Sequence, residues 1–117
     1  MSPLTFNEYQ DQALTTDIFE HRSSSVADPS FMSKVLGLVG EAGEIAEKFK
    51  KILRDKDGIL DEADKQEIIK ELGDVLWYIG VLSKYMDVPL QDVADRNLDK
   101  VLSRKARGVQ KGSGDNR

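Results

Sequence analysis

The chain has 117 residues, on the scale of one domain of roughly 100–200 residues, and long enough to bury a core without covalent staples. With 39% hydrophobic and 32% charged residues it reads as globular rather than disordered. No Cys and a single His exclude disulfides, zinc–thiolate sites, iron–sulfur clusters, Cys nucleophiles and any multi-histidine metal site within one chain; the net charge of −4 argues against broad nucleic-acid binding, which needs a basic footprint.

The opening MSPLTFNEYQ has neither a basic nor an apolar segment of a signal peptide, and the longest uncharged apolar run, Val75 to Leu82, is too short to span a membrane. A cytoplasmic protein is the expectation. Thr5-Phe6-Asn7-Glu8 fits a capping box, with Leu4 and Tyr9 as its hydrophobic staple, so a first helix is predicted from Thr5 to about Arg22. Ser23 to Pro29 reads as a loop. A second helix is predicted from about Phe31 to Arg54, with Val35, Leu38, Val39, Ala42, Ile45, Ala46, Phe49 and Leu53 on its apolar face. Asp55 to Gly58 is a turn. The third helix is predicted from about Ala63 to Met86, and its Val75–Leu82 stretch, apolar all round, marks a buried central helix. Pro89 is placed to open a fourth helix reaching about Ala106, followed by a Gly-rich basic tail, residues 107–117. The whole is predicted to be all-α, a four-helix-bundle-like protomer forming a single domain over 1–117.

Two acidic pairs stand out, Glu41 with Glu44 and Glu71 with Asp74, each spaced by three so that both carboxylates leave one helix face. Such pairs are ordinary on a solvated surface. Here, however, Glu71 and Asp74 lead straight into the apolar segment, where an unpaired buried charge costs several kcal/mol, and no basic residue lies between Val75 and Ser83. Gly37, Gly40 and Gly43 each weaken the second helix by about 1 kcal/mol relative to Ala, and Gly73 sits between the second acidic pair. Close helix approach is the expected return, bringing four carboxylates together. Oxygen-only donors suit Mg²⁺, Mn²⁺ or Ca²⁺. A ferritin-like di-iron site would need Glu-x-x-His pairs, and His21 is not so placed; it is expected to be exposed.

Glu41-x-x-Glu44, a gap of 26 residues and Glu71-x-x-Asp74, set in LGLVGEAGEIAEKFKK and ELGDVLWYIGVL, resembles the signature of the MazG-like all-α nucleotide pyrophosphohydrolases. Asn97-x-x-Lys100-x-x-x-Arg104 is similar as well, and Arg107-Gly108 with the closing GSGDNR resembles the tail of one small bacterial and phage branch. The likeness runs from about Val35 to the end of the sequence. One departure is Gly40, where the commonly quoted pattern doubles the first Glu; this leaves the number of metals open. The resemblance implies Mg²⁺, with Mn²⁺ as a possible substitute, held by Glu41, Glu44, Glu71 and Asp74, and hydrolysis of a nucleoside triphosphate to the monophosphate and pyrophosphate. Glu44 is the first choice for aiming or deprotonating the attacking water. It also implies a homodimer or dimer of dimers.

The fourth helix places Asn97, Lys100, Arg104 and Arg107 within a sector of about 80°. Between Ser103 and Arg117 five cations against Asp115 give net +4, leaving −8 on the remainder. Cations at a helix C-terminus ordinarily complement its dipole, whereas the resemblance favours phosphate contact by Lys100 and Arg104, with Arg107 and the tail closing over the substrate. Lys48 and Lys51 are either i+4 and i+7 partners of Glu44, which their spacing favours, or further phosphate ligands. For the base, Phe6, Tyr9, Gln10, Trp77 and Tyr78 are candidates; Trp77 fits core or subunit interface, while Tyr78, one turn after Asp74, is better aimed at a nucleotide. The competing reading is a non-catalytic helical dimer that binds nucleotide or serves regulatory assembly.

Overall fold

The computed structural model describes residues 3–117; among them are four helices and no strand. These are α1 (Phe6–Leu14), α2 (Pro29–Asp55), α3 (Glu62–Tyr85) and α4 (Leu90–Arg107). α3 is the hub: it touches α1, α2 and α4, whereas α2 and α4 do not meet.

The capping signals act as expected. Thr5 Oγ1 accepts from Glu8 N–H at 3.1 Å and the Glu8 carboxylate accepts from Thr5 N–H at 3.3 Å. Leu4 and Tyr9 line one small cleft. α1 nevertheless ends at Leu14, not at Arg22. Thr15 and Thr16 donate back to the carbonyls of Gln12 and Ala13 at 2.6 and 2.7 Å, and the chain then turns so that the Asp17 carboxylate accepts from Phe19 N–H. Asp28 caps α2 ahead of Pro29, and Asp61 with Asp64 forms a second capping box on α3. Gly108, at φ +71°, closes α4 in the left-handed conformation.

α2 and α3 run antiparallel along a seam with a seven-residue repeat. On α2, Lys34, Glu41 and Lys48 alternate with Leu38, Ile45 and Ile52; on α3, Asp64, Glu71, Tyr78 and Tyr85 alternate with Ile68, Val75 and Leu82. All of these are buried or half-buried. The expected apolar face of α2 is therefore only partly inward. Val35 packs on the core, but Val39, Phe49 and Leu53 are exposed. On α3, Gly80 and Val81 are buried while Leu76 faces out, so the helix is not enclosed all round. The expected close approach at glycines holds at Gly37 alone, where the Tyr78 ring lies 2.2 Å from the site of a Cβ; Gly40, Gly43 and Gly73 face open space.

The core gathers at the start of α2 and the end of α3, around Phe31, Val81, Tyr85 and Ala13 of α1. Gln10 fastens three helices there. Its amide nitrogen donates to the Gly80 and Val88 carbonyls and to Ser83 Oγ, and its oxygen accepts from Leu90 N–H at 3.0 Å. Two amide protons thus serve three acceptors. This excludes Gln10, 2% exposed, as a base-binding residue.

Candidate active site

Halfway along the seam, Glu41 of α2 meets Glu71 and Asp74 of α3. Each offers an oxygen, and the three oxygens lie within 4.8 Å of one another. Glu41 and Glu71 are half-buried and Asp74 is exposed. Burial, then the adjoining Glu71 carboxylate and the charges of Asp74, Glu71 and Glu44, push the Glu41 carboxyl above its ordinary range. The charge of Asp74 also contributes, after burial, to raising the Tyr9 phenol.

Two expectations need correction. Glu44 is exposed and stands outside the group of three, although its spacing from Glu41 equals the one that brings Glu71 and Asp74 into it. Its charge still reaches Glu41. Lys48 is not a partner of Glu44: it crosses the seam to Glu71 at 3.7 Å, so the acidic pair on α3 does have a basic neighbour, supplied by the other helix. One ammonium against three carboxylates leaves excess negative charge among oxygen donors, which fits a hard divalent cation. Lys51 is exposed and lines a cleft of about 150 Å³ beyond Lys48, with Lys56 on the same wall.

Tyr78 stands one turn from Asp74, over Gly37, itself one turn before Glu41. Its ring meets Trp77 edge-on, with centroids 4.9 Å apart. Trp77 Nε1 donates to Thr16 Oγ1 at 2.8 Å. Phe6 and Tyr9 line a different cleft with Leu4, Thr5 and Leu76. His21 is exposed, as expected.

The basic residues of α4 are engaged elsewhere than at the carboxylates. Lys100 and Arg104 both reach the Asp115 carboxylate at 3.3 Å, and Arg104 donates to the Gly114 and Asp115 carbonyls. Arg107 donates to the Arg117 carbonyl and to Ser103 Oγ. The tail therefore wraps over α4 and buries Arg104, whose Nε has no partner. Lys100 and Arg104 together hold the Asp115 carboxylate below its ordinary range. Asn97 is exposed.

Sequence reasoning missed a buried ion pair beside Trp77. Lys34 Nζ lies 3.0 Å from Asp17, with side-chain exposures of 4% and 1%, and 4.5 Å from the Phe19 ring centroid. Tyr85 donates its hydroxyl proton to the same carboxylate. Lys34, Glu41 and Lys48 share one heptad position, and charges recurring in phase with Leu38, Ile45 and Ile52 were the available signal.

An antiparallel helical pair with an acidic cluster at its seam defines an all-α protein with a candidate metal site. The MazG nucleotide pyrophosphohydrolase domain matches residues 30–109, and the chain belongs to that family, whose enzymes generally depend on a divalent metal. The chain is also 49% identical over 109 residues to the Gene 37 protein of Mycobacterium phage L5, covering 93% of this chain and 96% of that protein. No solved structure gives a significant match. Among the described residues no helix is long and apolar enough to cross a membrane.

Proposed function

We propose that this protein hydrolyses (deoxy)nucleoside triphosphates to the monophosphate and pyrophosphate with Mg²⁺, Mn²⁺ being a possible substitute, as a nucleotide-pool house-cleaning enzyme. The observation that carries this reading is the convergence of Glu41, Glu71 and Asp74 on one point of the α2–α3 seam. These three would hold the metal, with Glu44 completing the acidic set. A bound divalent ion would neutralise the triphosphate and lower the pKa of a bound water.

The remaining roles fall to the chain. The attacking water forms a bond to the α-phosphorus, the α–β bridging bond breaks, and pyrophosphate leaves with the bridging oxygen. Glu44, outside the group of three, is the carboxylate free to take the proton from that water. Lys48 and Lys51, beyond the cluster, face the side where the leaving phosphates would extend. Lys100, Arg104 and Arg107 would meet phosphate only after leaving their contacts with the tail or across a subunit boundary, and the exposed Asn97 would join them there. Exposed Leu36, Val39, Leu98 and Leu102 favour a homodimer or homotetramer. The unit proposed is the whole chain, since Gln10 ties α1 to α3 and α4.

Pyrophosphate release from a panel of canonical and modified nucleoside triphosphates tests this. Release that requires Mg²⁺ or Mn²⁺, and falls at least about a hundredfold in Glu71→Gln, is expected. No release from any member would favour the non-catalytic nucleotide-binding module, and unchanged turnover in Glu71→Gln would remove the assigned site.

A further inference from the structure

Lys34, Glu41 and Lys48 follow one another at intervals of seven on the α2 side of the seam, so one carboxylate has a lysine on either side of it along the same helix edge. The two lysines are held differently. Lys34 Nζ lies 3.0 Å from Asp17 and 3.2 Å from Ser33 Oγ, and its side chain is 4% exposed. The rings of Phe19, Trp77 and Tyr85 stand around it. That is a fixed pair, closed to solvent.

Lys48 is loose by comparison. Its Nζ stands 3.7 Å from Glu71 Oε1, and its side chain is 31% exposed. That distance lies beyond the roughly 2.7–3.2 Å of a hydrogen bond, so charge alone holds the contact. The ammonium sits on a flexible four-carbon stem and can be re-aimed by side-chain rotation.

Its place is one that needs a cation. Glu41, Glu71 and Asp74 bring three oxygens within 4.8 Å of one another, and among the described residues Lys48 is the one cation ion-paired with any of them. Lys51 is exposed, Lys56 is tied to Asp61 and Asp64, and Lys70 to Glu67. The charge of Lys48 also reaches Glu67, one turn before Glu71 on α3, so the ammonium has a second acidic neighbour to turn to. An ammonium beside Glu71 repels any other cation brought to the same carboxylate.

We propose, on the metal-dependent reading above, that Lys48 is the resident counter-ion of the carboxylate cluster: it holds Glu71 while no metal is bound and swings towards Glu67 when a divalent cation takes that carboxylate. Lys48 thereby relieves the repulsion among the carboxylates of the metal-free protein, and it sets the metal affinity below what the carboxylates alone would give.

Lysine acetylation by acetic anhydride, read by mass spectrometry, follows the exchange in the parent protein. Saturating Mg²⁺ is expected to raise the labelling rate of Lys48 at least about threefold, while Lys34 stays protected and Lys51 is unmoved. Mn²⁺ binding, followed by electron paramagnetic resonance, is expected to tighten about threefold to tenfold in Lys48→Met and by less than about twofold in Lys51→Met. Without metal, Lys48→Met is expected to melt below the parent, and saturating Mn²⁺ to narrow the gap, since the tighter binder gains more stability. Unchanged labelling of Lys48 at saturating Mg²⁺, equal or weaker Mn²⁺ binding in Lys48→Met, or the same tightening in both lysine variants would overturn the exchange while leaving the metal site in place. Absence of Mn²⁺ binding by the parent would overturn the metal reading itself, and the exchange with it.

Discussion

Asp17 and Lys34 show how this chain places opposite charges in its interior. Burial alone would push Asp17 up; hydrogen bonds from Tyr85, Lys34 and Phe19 N–H outweigh it and hold the carboxyl below its ordinary range. Burial and the bond to Asp17 push the Tyr85 phenol to about 12. The two shifts bound the pH range of full stability from opposite sides. A lowered carboxyl stabilises above its unfolded pKa of about 3.9 and loses that contribution as pH falls through the folded value. A raised phenol keeps its proton in the folded state while the unfolded chain loses it near pH 10, so stability declines from about 10 towards 12. Urea midpoints measured against pH are expected to fall at both ends. Asp17→Asn should flatten the acid limb relative to the parent; an unchanged limb would mean that another carboxylate sets it.

At the level of elements, two glycines on one helix should respond oppositely. Gly37→Ala forces a methyl against Tyr78 and is expected to cost about 1–3 kcal/mol. Gly43→Ala meets nothing among the described residues and should gain about 0.5–1 kcal/mol from helix propensity. Thermal unfolding of the two variants checks this, and a destabilising Gly43→Ala would reveal a neighbour supplied by another copy. The sequence could not separate these glycines, because spacing gives direction but not what lies there. It did disclose α2, α3 and α4 to within about two residues, since periodicity and capping agreed over long spans. The end of α1 was hidden because the next turn is fixed by Lys34, seventeen residues after Asp17. Within the site, the acidic pairs were legible as i, i+3 motifs. Their sorting into Glu41, Glu71 and Asp74, with Glu44 aside, needed the seam's phase. The engagement of Lys100 and Arg104 by Asp115 depends on a tail whose composition carries no periodic signal.

The whole chain is open for its size. Its radius of gyration is 17.1 Å, against about 13 Å for a compact chain of 100 residues. The excess reflects a hub helix with α2 and α4 apart, and it leaves Leu36, Val39, Leu53, Leu98 and Leu102 more than half exposed. Light scattering at micromolar concentration is expected to give at least twice the chain mass, and a strictly monomeric species would show that water covers these faces.

The seam also acts as a ruler. Lys34 and Glu41 ride on the same rigid rod, so their separation changes only when residues are added to or removed from α2 between them. A single deletion there would swing Lys34 by about 100° out of phase with Glu41, whereas seven residues nearly restore the phase and lengthen the gap by about 10 Å. The spacing between the buried ion pair and the carboxylates is thereby set in steps of about two helical turns, and gradual drift is denied to this architecture.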